Sequence, residues 1–454
     1  MNREPDQTEK PATKPATSAT EKPPPVTAID RLISDKASSL SHLECITEMF
    51  EALVPILKEQ DQARQIRMKE LLQLTRANIP NPPDSKLKIK ISLAILEELL
   101  GHARKLKQAD RMFRQSTVTS MVSNFDELLT AVLRTAFSAN PSWLLNSDRK
   151  LSYAEILQKE SLEKLKTEII SKEINELMYD SHHAQLTFID AKLKLGIEAN
   201  FKGWSEFLEI TERRNLFVHT GGAVSNQYLD NCRKWKISLD PEIAEGTQLQ
   251  ASDHYIKNAV DCFYELTLRV VHAAARRLFP EALEKLDNDL NDDGVLLLTN
   301  EQWALAERVF EYALGIPTEL RSRGQFGCLF LINLCIALKF GGKDYTAKLN
   351  SIDWSPYHPK FHLAVAVLED RFADAVTLMR SPAVLQAVTE HHFKSWPLLK
   401  EFRKTPEFEE TFRQIFNKDF TTELLQDAAA EIKEEEKSPL ERRPSSERSP
   451  EAGT

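Results

Sequence analysis

Glycine is scarce in this chain, with 13 residues among 454, and this scarcity argues against a turn-rich β protein. The five cysteines are scattered and none forms a Cys-x-x-Cys pair, so neither a zinc site nor a disulfide framework is expected. The sequence has no run of 18 apolar residues and no apolar signal core at its N-terminus. We therefore expect an all-α, cytoplasmic protein with no membrane span, no metal and no cofactor.

Net positive charge is also lacking, because the formal charge is −9. The surface as a whole therefore does not attract nucleic acid, and any RNA site must be a local basic patch. Hydrophobic residues make up 42% of the chain, which is enough for real cores, and the length allows two or three domains.

Composition and apolar periodicity divide the chain into five parts. Residues 1–27 and 421–454 are predicted to be disordered tails, the second of them acidic. Residues 28–115 are predicted to be helical, with a kink or break at Pro55 and a loop at the proline-rich 79–83. Residues 116–280 form a helical domain, and residues 281–420 form paired helices that resemble tetratricopeptide repeats. Such arrays bind other protein chains far more often than they catalyse.

One basic stretch stands out in the N-terminal helical region. Between Lys86 and Arg114 there are eight basic residues and three acidic ones. The basic residues are Lys86, Lys88, Lys90, Arg104, Lys105, Lys107, Arg111 and Arg114. We expect this stretch to contact an RNA backbone. The alternatives are an ordinary solvated helix face and an assembly or regulatory element.

The most informative stretch runs from Glu212 to Gly222. It has helical spacing and ends in two glycines, which stop a helix. Asn215 and His219 are four residues apart and share a helix face, and the long side chain of Arg214 can reach over that face. Histidine exchanges a proton near neutral pH, and arginine suits phosphate recognition. Together they can move a proton and hold an anion.

Arg214-Asn215-x-x-x-His219 resembles the Arg-polar-x(3 to 5)-His signature of the HEPN superfamily, and no other histidine here has an arginine five to seven residues before it. The resemblance implies an all-helical domain that dimerises and acts as a metal-independent endoribonuclease in bacterial defence, toxin or stress systems. The resemblance also implies that RNA is the substrate and that His219 acts as the general base. In it, Arg214 binds the anion and Asn215 is an orienting group. Arg213 is expected to add a weaker RNA contact.

Other interpretations of these residues stay open. The end of this helix could simply be capped by Arg214, Asn215 and His219, with no catalytic role for any of them. The protein could also be a catalytically inactive scaffold that binds a protein partner through its C-terminal helices. Asp126 and Glu127 could orient an arginine or histidine across the bundle, or lie on a solvated face.

Two further patterns suggest ligand sites less convincingly. The stretch from Asp289 to Gly294 copies the first half of a calcium loop, but Asn300 stands where a bidentate Glu is needed, so we expect a loop that connects helices. His182 and His183 are adjacent, so their side chains should diverge on a helix and do not have metal-ligand spacing.

Overall fold

The computed structural model describes residues 27–77, 85–146 and 161–420, and it confirms the all-α prediction. The one β contact within these ranges is an isolated bridge between Ala223 and Gln248. The α-helices of these ranges are α1 (Ala28–Ala77), α2 (Ser85–Ala139), α3 (Leu162–Met178), α4 (His182–Leu193), α5 (Ile197–Asn200), α6 (Trp204–Thr220), α7 (Asn226–Lys234), α8 (Asp253–Leu278), α9 (Leu283–Thr299), α10 (Trp303–Gly315), α11 (Phe326–Phe340), α12 (Thr346–Leu349), α13 (Pro359–Leu368), α14 (Phe372–Met379), α15 (Pro382–Ala387), α16 (Glu390–Ser395) and α17 (Pro406–Phe416).

Helices α1 and α2 form a long antiparallel hairpin. Ser39 contacts Asn124, and further along the pair Phe50 stacks on Phe113 at 6.0 Å between ring centroids. The break that was predicted at Pro55 is wrong, because α1 continues through this residue. A proline removes only one backbone N–H from the helix ladder, and packing against α2 holds the turns on either side.

The division at residues 115 and 116 also falls inside a continuous helix. Helix α2 has 55 residues and runs from the basic stretch into the apolar face that begins at Val118. No glycine or proline lies between residues 102 and 139, so the backbone has no reason to stop there. The other domain boundaries remain predictions. The predicted tails and the loop at 79–83 lie outside the described residues.

The core of the middle region lies where α2, α6 and α8 meet. The aromatic ring of Phe125 lies 5.4 Å from that of Phe207 and 5.5 Å from that of Phe263. All three side chains are buried. Side chains around most of helix α8 are buried, and it is accordingly the central helix, in contact with α1, α2, α6, α9 and α10. This packing fixes α6 against α2.

The C-terminal region consists of helical pairs, as predicted. Helix α10 packs on α11, and α13 packs on α14. Small residues at the contacts, such as Ala313 and Ala364, are fully buried and allow close approach. Whether these pairs belong to the tetratricopeptide class remains a prediction. No helix among the described residues has the length and apolar character needed to cross a membrane.

Candidate functional site

Helix α6 carries the predicted signature, and its C-terminal end follows from glycines. It begins after Gly203 and ends at Gly221, which has a φ of +60°. Gly222 follows with a φ of +94° and donates its N–H to the carbonyl of Leu216 at 3.0 Å. These left-handed conformations are ones that glycine adopts without steric cost. The prediction that two glycines stop this helix is confirmed.

Arg214 points from α6 towards α2 and meets a carboxylate there. Its Nη2 lies 3.2 Å from Oδ2 of Asp126. The other carboxylate oxygen, Oδ1, lies 2.7 Å from Nε2 of His182 at the start of α4. The side chain of Arg214 is 22% exposed, so an anion can still reach it. The structure thus brings together three charged or ionisable groups that are 32 to 88 residues apart along the chain.

His219 and Asn215 lie on the same helix as Arg214. Oδ1 of Asn215 accepts a hydrogen bond from Nη1 of Arg214 at 3.3 Å. The ring of His219 is exposed in the last turn, and it bonds to no side chain or carbonyl of the described residues. Val218 beside it is also on the surface, with 53% of the residue exposed. This end of α6 is therefore open to solvent and to a ligand.

Arg213 has a different environment from the one that was expected for an RNA contact. Its Nε donates to Oε1 of Glu209 at 2.7 Å, and its guanidinium lies 4.1 Å from the ring centroid of Tyr255. Glu209 also accepts hydrogen bonds from the hydroxyls of Tyr228 and Tyr255, each at 2.8 Å. The Arg213 side chain is 13% exposed, and its Nη1 also donates to the carbonyl of Gln250 at 3.2 Å. The RNA contact expected of Arg213 remains a prediction, now for a largely buried side chain.

Glu212 adds a buried carboxyl group close to the signature. Its Oε2 accepts a hydrogen bond from Nδ2 of Asn231 at 2.8 Å. Burial raises the pKa of Glu212 above its ordinary value, against the lowering effect of Asn231 and of the nearby His182 and Arg214. The site therefore contains a buried carboxyl group whose pKa lies above its ordinary value.

The end of α6 is tied to the basic stretch of α2. The backbone carbonyl of Gly221 accepts hydrogen bonds from the guanidinium of Arg111, from Nε2 of Gln115 at 3.1 Å and from Nε2 of Gln248 at 2.8 Å. Arg111 and Gln115 are four residues apart on α2 and so share a face. These bonds hold the end of α6, two residues after the exposed His219, against the predicted RNA-binding segment.

A cleft of about 810 Å³ opens along that face of α2. Its charged lining residues are Arg104, Lys107, Arg111, Arg114 and a single carboxylate, Asp110. Arg114 is held by Asp110 and Asp253, whereas Arg104 and Lys107 form no ion pair with a described residue. The cleft is thus a basic groove on an otherwise acidic protein, and it leads towards the end of α6.

The remaining predicted RNA contacts differ in position. Lys105 is exposed but does not line the cleft, because it is rotated by about 100° from Arg104 around the helix axis. The side chains of Lys86, Lys88 and Lys90 lie outside the described part of the chain, although the backbone there belongs to α2.

The loop expected at the calcium-like motif is wrong. Residues 289–294 lie inside the continuous helix α9, where Asp289 and Asp293 are four residues apart and face His272 of α8. Ligand atoms of these three residues lie within 4.8 Å of one another. The ammonium group of Lys36, a buried residue of α1, already contacts both carboxylates, at 2.7 Å in the case of Asp289. This cluster is therefore a buried ion-pair network that joins α1 to α9.

No family model, curated protein or solved structure matches this chain. The HEPN resemblance of α6 therefore remains a prediction that rests on its residues and their geometry.

Two residues near the site were not identified from the sequence. His182 was considered only for metal binding, with His183; the two rings do diverge, one towards Asp126 and the other onto Trp235, where the centroids are 5.6 Å apart. Arg111 was counted in the basic stretch but not connected with Gly221. No local pattern indicates either contact, because each depends on how distant helices pack. The suggestion that Asp126 orients an arginine or histidine agrees with its two hydrogen bonds.

Proposed function

We propose that this protein is a metal-independent endoribonuclease of HEPN type that cuts RNA through attack of a 2′-hydroxyl on the adjacent phosphate. One observation carries the proposal. Arg214 and His219 project from the same helix, with the imidazole exposed at its open end and the guanidinium anchored five residues earlier by Asp126. The reaction needs a base that works near neutral pH and a fixed cation, and these two side chains can supply them.

In the proposed reaction, neutral His219 accepts the proton of the 2′-hydroxyl. The 2′-oxygen forms a bond to phosphorus, the bond from phosphorus to the 5′-oxygen breaks, and that oxygen takes up a proton from an acid. The products are a 2′,3′-cyclic phosphate and a 5′-hydroxyl. General base catalysis of this kind contributes roughly 10²- to 10⁴-fold. Arg214 stabilises the charge that develops on the non-bridging oxygens, and Asn215 orients its guanidinium.

The acid for the leaving oxygen comes, in this proposal, from a second copy of the chain. One signature supplies a single exposed imidazole, so two signatures that face each other across a two-fold axis would supply both proton-transfer groups. In this arrangement the exposed Val218 beside His219 would lie at the interface between the two copies.

The basic cleft on α2 supports RNA as the substrate. Arg104 and Lys107 have no ion-pair partner among the described residues and lie on the face of α2 that reaches the end of α6. Cations in this position can hold the phosphates that flank the cleaved bond. Dependence on the 2′-hydroxyl excludes DNA as a substrate. The role in bacterial defence or stress that the resemblance implies belongs to the same proposal, as does the cytoplasmic location expected from the scattered cysteines.

The test is RNA cleavage by the full-length protein in excess EDTA, with mapping of the new ends. We expect 2′,3′-cyclic phosphate and 5′-hydroxyl ends from the wild type, and a loss of cleavage with unchanged helicity in His219→Ala and Arg214→Ala. Equal activity of wild type and His219→Ala would contradict the assignment. Gel filtration at the same protein concentration shows whether the active species is a dimer.

A catalytically inactive scaffold is the second candidate, and one observation favours it. The ion pair between Arg214 and Asp126 also ties α6 to α2, which is what a purely structural arginine would do. In that case the paired helices of the C-terminal region would bind a protein partner. A stable dimer that leaves RNA intact and binds another protein would support this function.

A further inference from the structure

The carboxylate of Asp126 is shared between a histidine and the signature arginine. Its Oδ1 lies 2.7 Å from Nε2 of His182, and its Oδ2 lies 3.2 Å from Nη2 of Arg214. A carboxylate that pairs with arginine is ionised and only accepts hydrogen bonds, so Nε2 of His182 carries a proton and donates. The three side chains come from α2, α4 and α6, and they form a chain from imidazole to carboxylate to guanidinium.

His182 is held firmly at its own end of this chain. It is the first residue of α4, directly after Ser181, whose side chain caps the helix by accepting from the backbone N–H of Ala184. Its ring packs edge-on against Phe207, with centroids 6.0 Å apart, and the residue is 9% exposed. A buried ring with a fixed position can fix the carboxylate to which it is bonded.

Arg214, in contrast, has little else to fix it. Its only other hydrogen bond among the described residues is the long 3.3 Å contact with Asn215, the next residue of the same helix. Its Nε is buried and has no hydrogen-bond acceptor. A free arginine side chain samples many rotamers, so an anion site built on it loses affinity or rate unless a partner selects one orientation. Asp126 is the one carboxylate within ion-pair distance of Arg214 among the described residues.

We propose that Asp126 and His182 are positioning residues for Arg214, so that a second histidine of the same chain contributes to the reaction without touching the substrate. This inference rests on the endoribonuclease function proposed above. Loss of the imidazole should leave the carboxylate free to rotate, and the guanidinium would then stay charged but lose its fixed direction. We expect kcat to fall while KM changes little, because the charged guanidinium of Arg214 still attracts the RNA.

The experiment measures kcat and KM for cleavage of a fluorescently labelled RNA oligonucleotide by the full-length protein in excess EDTA. His182→Leu removes the donor to Asp126 and should lower kcat on the order of tenfold with little change in KM. His182→Gln keeps an N–H donor and should restore most of the rate. His183→Gln is the matched control, since the neighbouring ring stacks on Trp235 and makes no hydrogen bond to Asp126; it should cleave like the wild type. Thermal melting of all three variants measures their stability.

Three outcomes would overturn the inference, and they are distinguishable. A wild-type kcat in His182→Leu would show that the imidazole positions nothing. Equal losses in the Leu and Gln variants, in step with a lowered Tm, would assign His182 a structural role only. Cleavage that is absent in the wild type, or that persists in His219→Ala, would remove the proposed function and this inference with it. Cleavage that depends on His219 but not on His182 removes this inference alone.

Discussion

Nε of Arg213 lies 2.7 Å from Oε1 of Glu209, one helical turn back along α6, whereas the neighbouring Arg214 turns to Asp126 on another helix. Two adjacent arginines therefore have different surroundings. The first closes a nearly buried network with Tyr228 and Tyr255, and burial together with the Glu209 charge raises the pKa of the Tyr228 hydroxyl. The second is the more exposed and remains accessible to an anion.

Replacing each arginine by alanine should separate these roles. Arg213→Ala leaves Glu209 buried without its cation and should lower the free energy of unfolding by about 3 kcal/mol. Arg214→Ala removes a partly exposed ion pair and should cost about 1 kcal/mol or less. The order reverses for RNA cleavage, where Arg214→Ala should lower kcat/KM by about 100-fold. Urea unfolding and the cleavage assay measure the two effects.

Cleavage rates of Arg213→Ala must be measured where the variant is fully folded, so that loss of structure does not imitate loss of catalysis. An Arg213→Ala protein that is as stable as the wild type, yet fails to bind RNA, would return this residue to the role of RNA contact that its sequence position suggested.

The basic cleft predicts a specific change in salt dependence. Lys107→Gln should weaken binding of a 2′-O-methyl RNA, which cannot be cleaved, and should reduce the slope of log affinity against log salt by about one. Lys105→Gln changes the net charge equally but alters a side chain outside the cleft, so its effect on the slope should be smaller by at least half. Fluorescence anisotropy at four salt concentrations measures both slopes. Equal slopes for the two variants would mean that RNA does not follow the cleft.

The buried carboxyl group of Glu212 should make the free energy of unfolding depend on pH in a predictable direction. Its pKa is raised by burial above the ordinary value of 4.5, so its contribution to stability is present below pH 4.5 and is lost as pH rises through the higher folded-state pKa. Glu212→Gln can keep the hydrogen bond from Asn231 without the charge. The variant should therefore match the wild type near pH 4 and become relatively more stable towards pH 7, as measured by urea unfolding.

The carboxyl group of Asp253 should change stability with pH in the direction opposite to that of Glu212. Its hydrogen bond from Lys58, together with that from Arg114, lowers the pKa of its carboxyl group below 3.8. The stability it contributes is therefore present above pH 3.8 and lost on further acidification, so Asp253→Asn should be relatively weakest near pH 7. If both variants changed stability in the same direction with pH, the assignment of Glu212 as a buried carboxyl group would be wrong.

The sequence predicted the local features of the site better than its contacts. The C-terminal end of α6 could be anticipated because apolar spacing and two glycines act within a few residues. Arg213 was expected to contact RNA because it adjoins Arg214 in the sequence. Its different surroundings depend on Glu209, which accepts hydrogen bonds from two tyrosines, and no local pattern indicates this. The pairing of Asp126 with His182 and Arg214 joins three helices, and no periodicity encodes such a contact.

Gly294 matches the glycine of a calcium loop in the sequence, but its reason in the structure is helix packing and not a turn. In a calcium loop a glycine at this position allows a sharp turn, but here Gly294 lies inside α9 and faces the ring of Phe310. A Cβ at this residue would lie 2.3 Å from Cζ of Phe310, which is far too close for two carbon atoms. Gly294 is therefore required by the packing of α9 on α10.

Gly294→Ala should accordingly destabilise the protein by about 1–3 kcal/mol, although alanine is the better helix former by roughly 1 kcal/mol. Gly101→Ala is the matched control, because this glycine also lies within a long helix and an added Cβ there meets no atom within 4 Å. The free energy of unfolding of Gly101→Ala should rise by about 0.5–1 kcal/mol. Urea unfolding of both variants, and of Gly294→Ala combined with Phe310→Leu, measures the effect of the ring. A stabilised Gly294→Ala would contradict the close contact, whereas recovery in the double variant would assign the cost to Phe310.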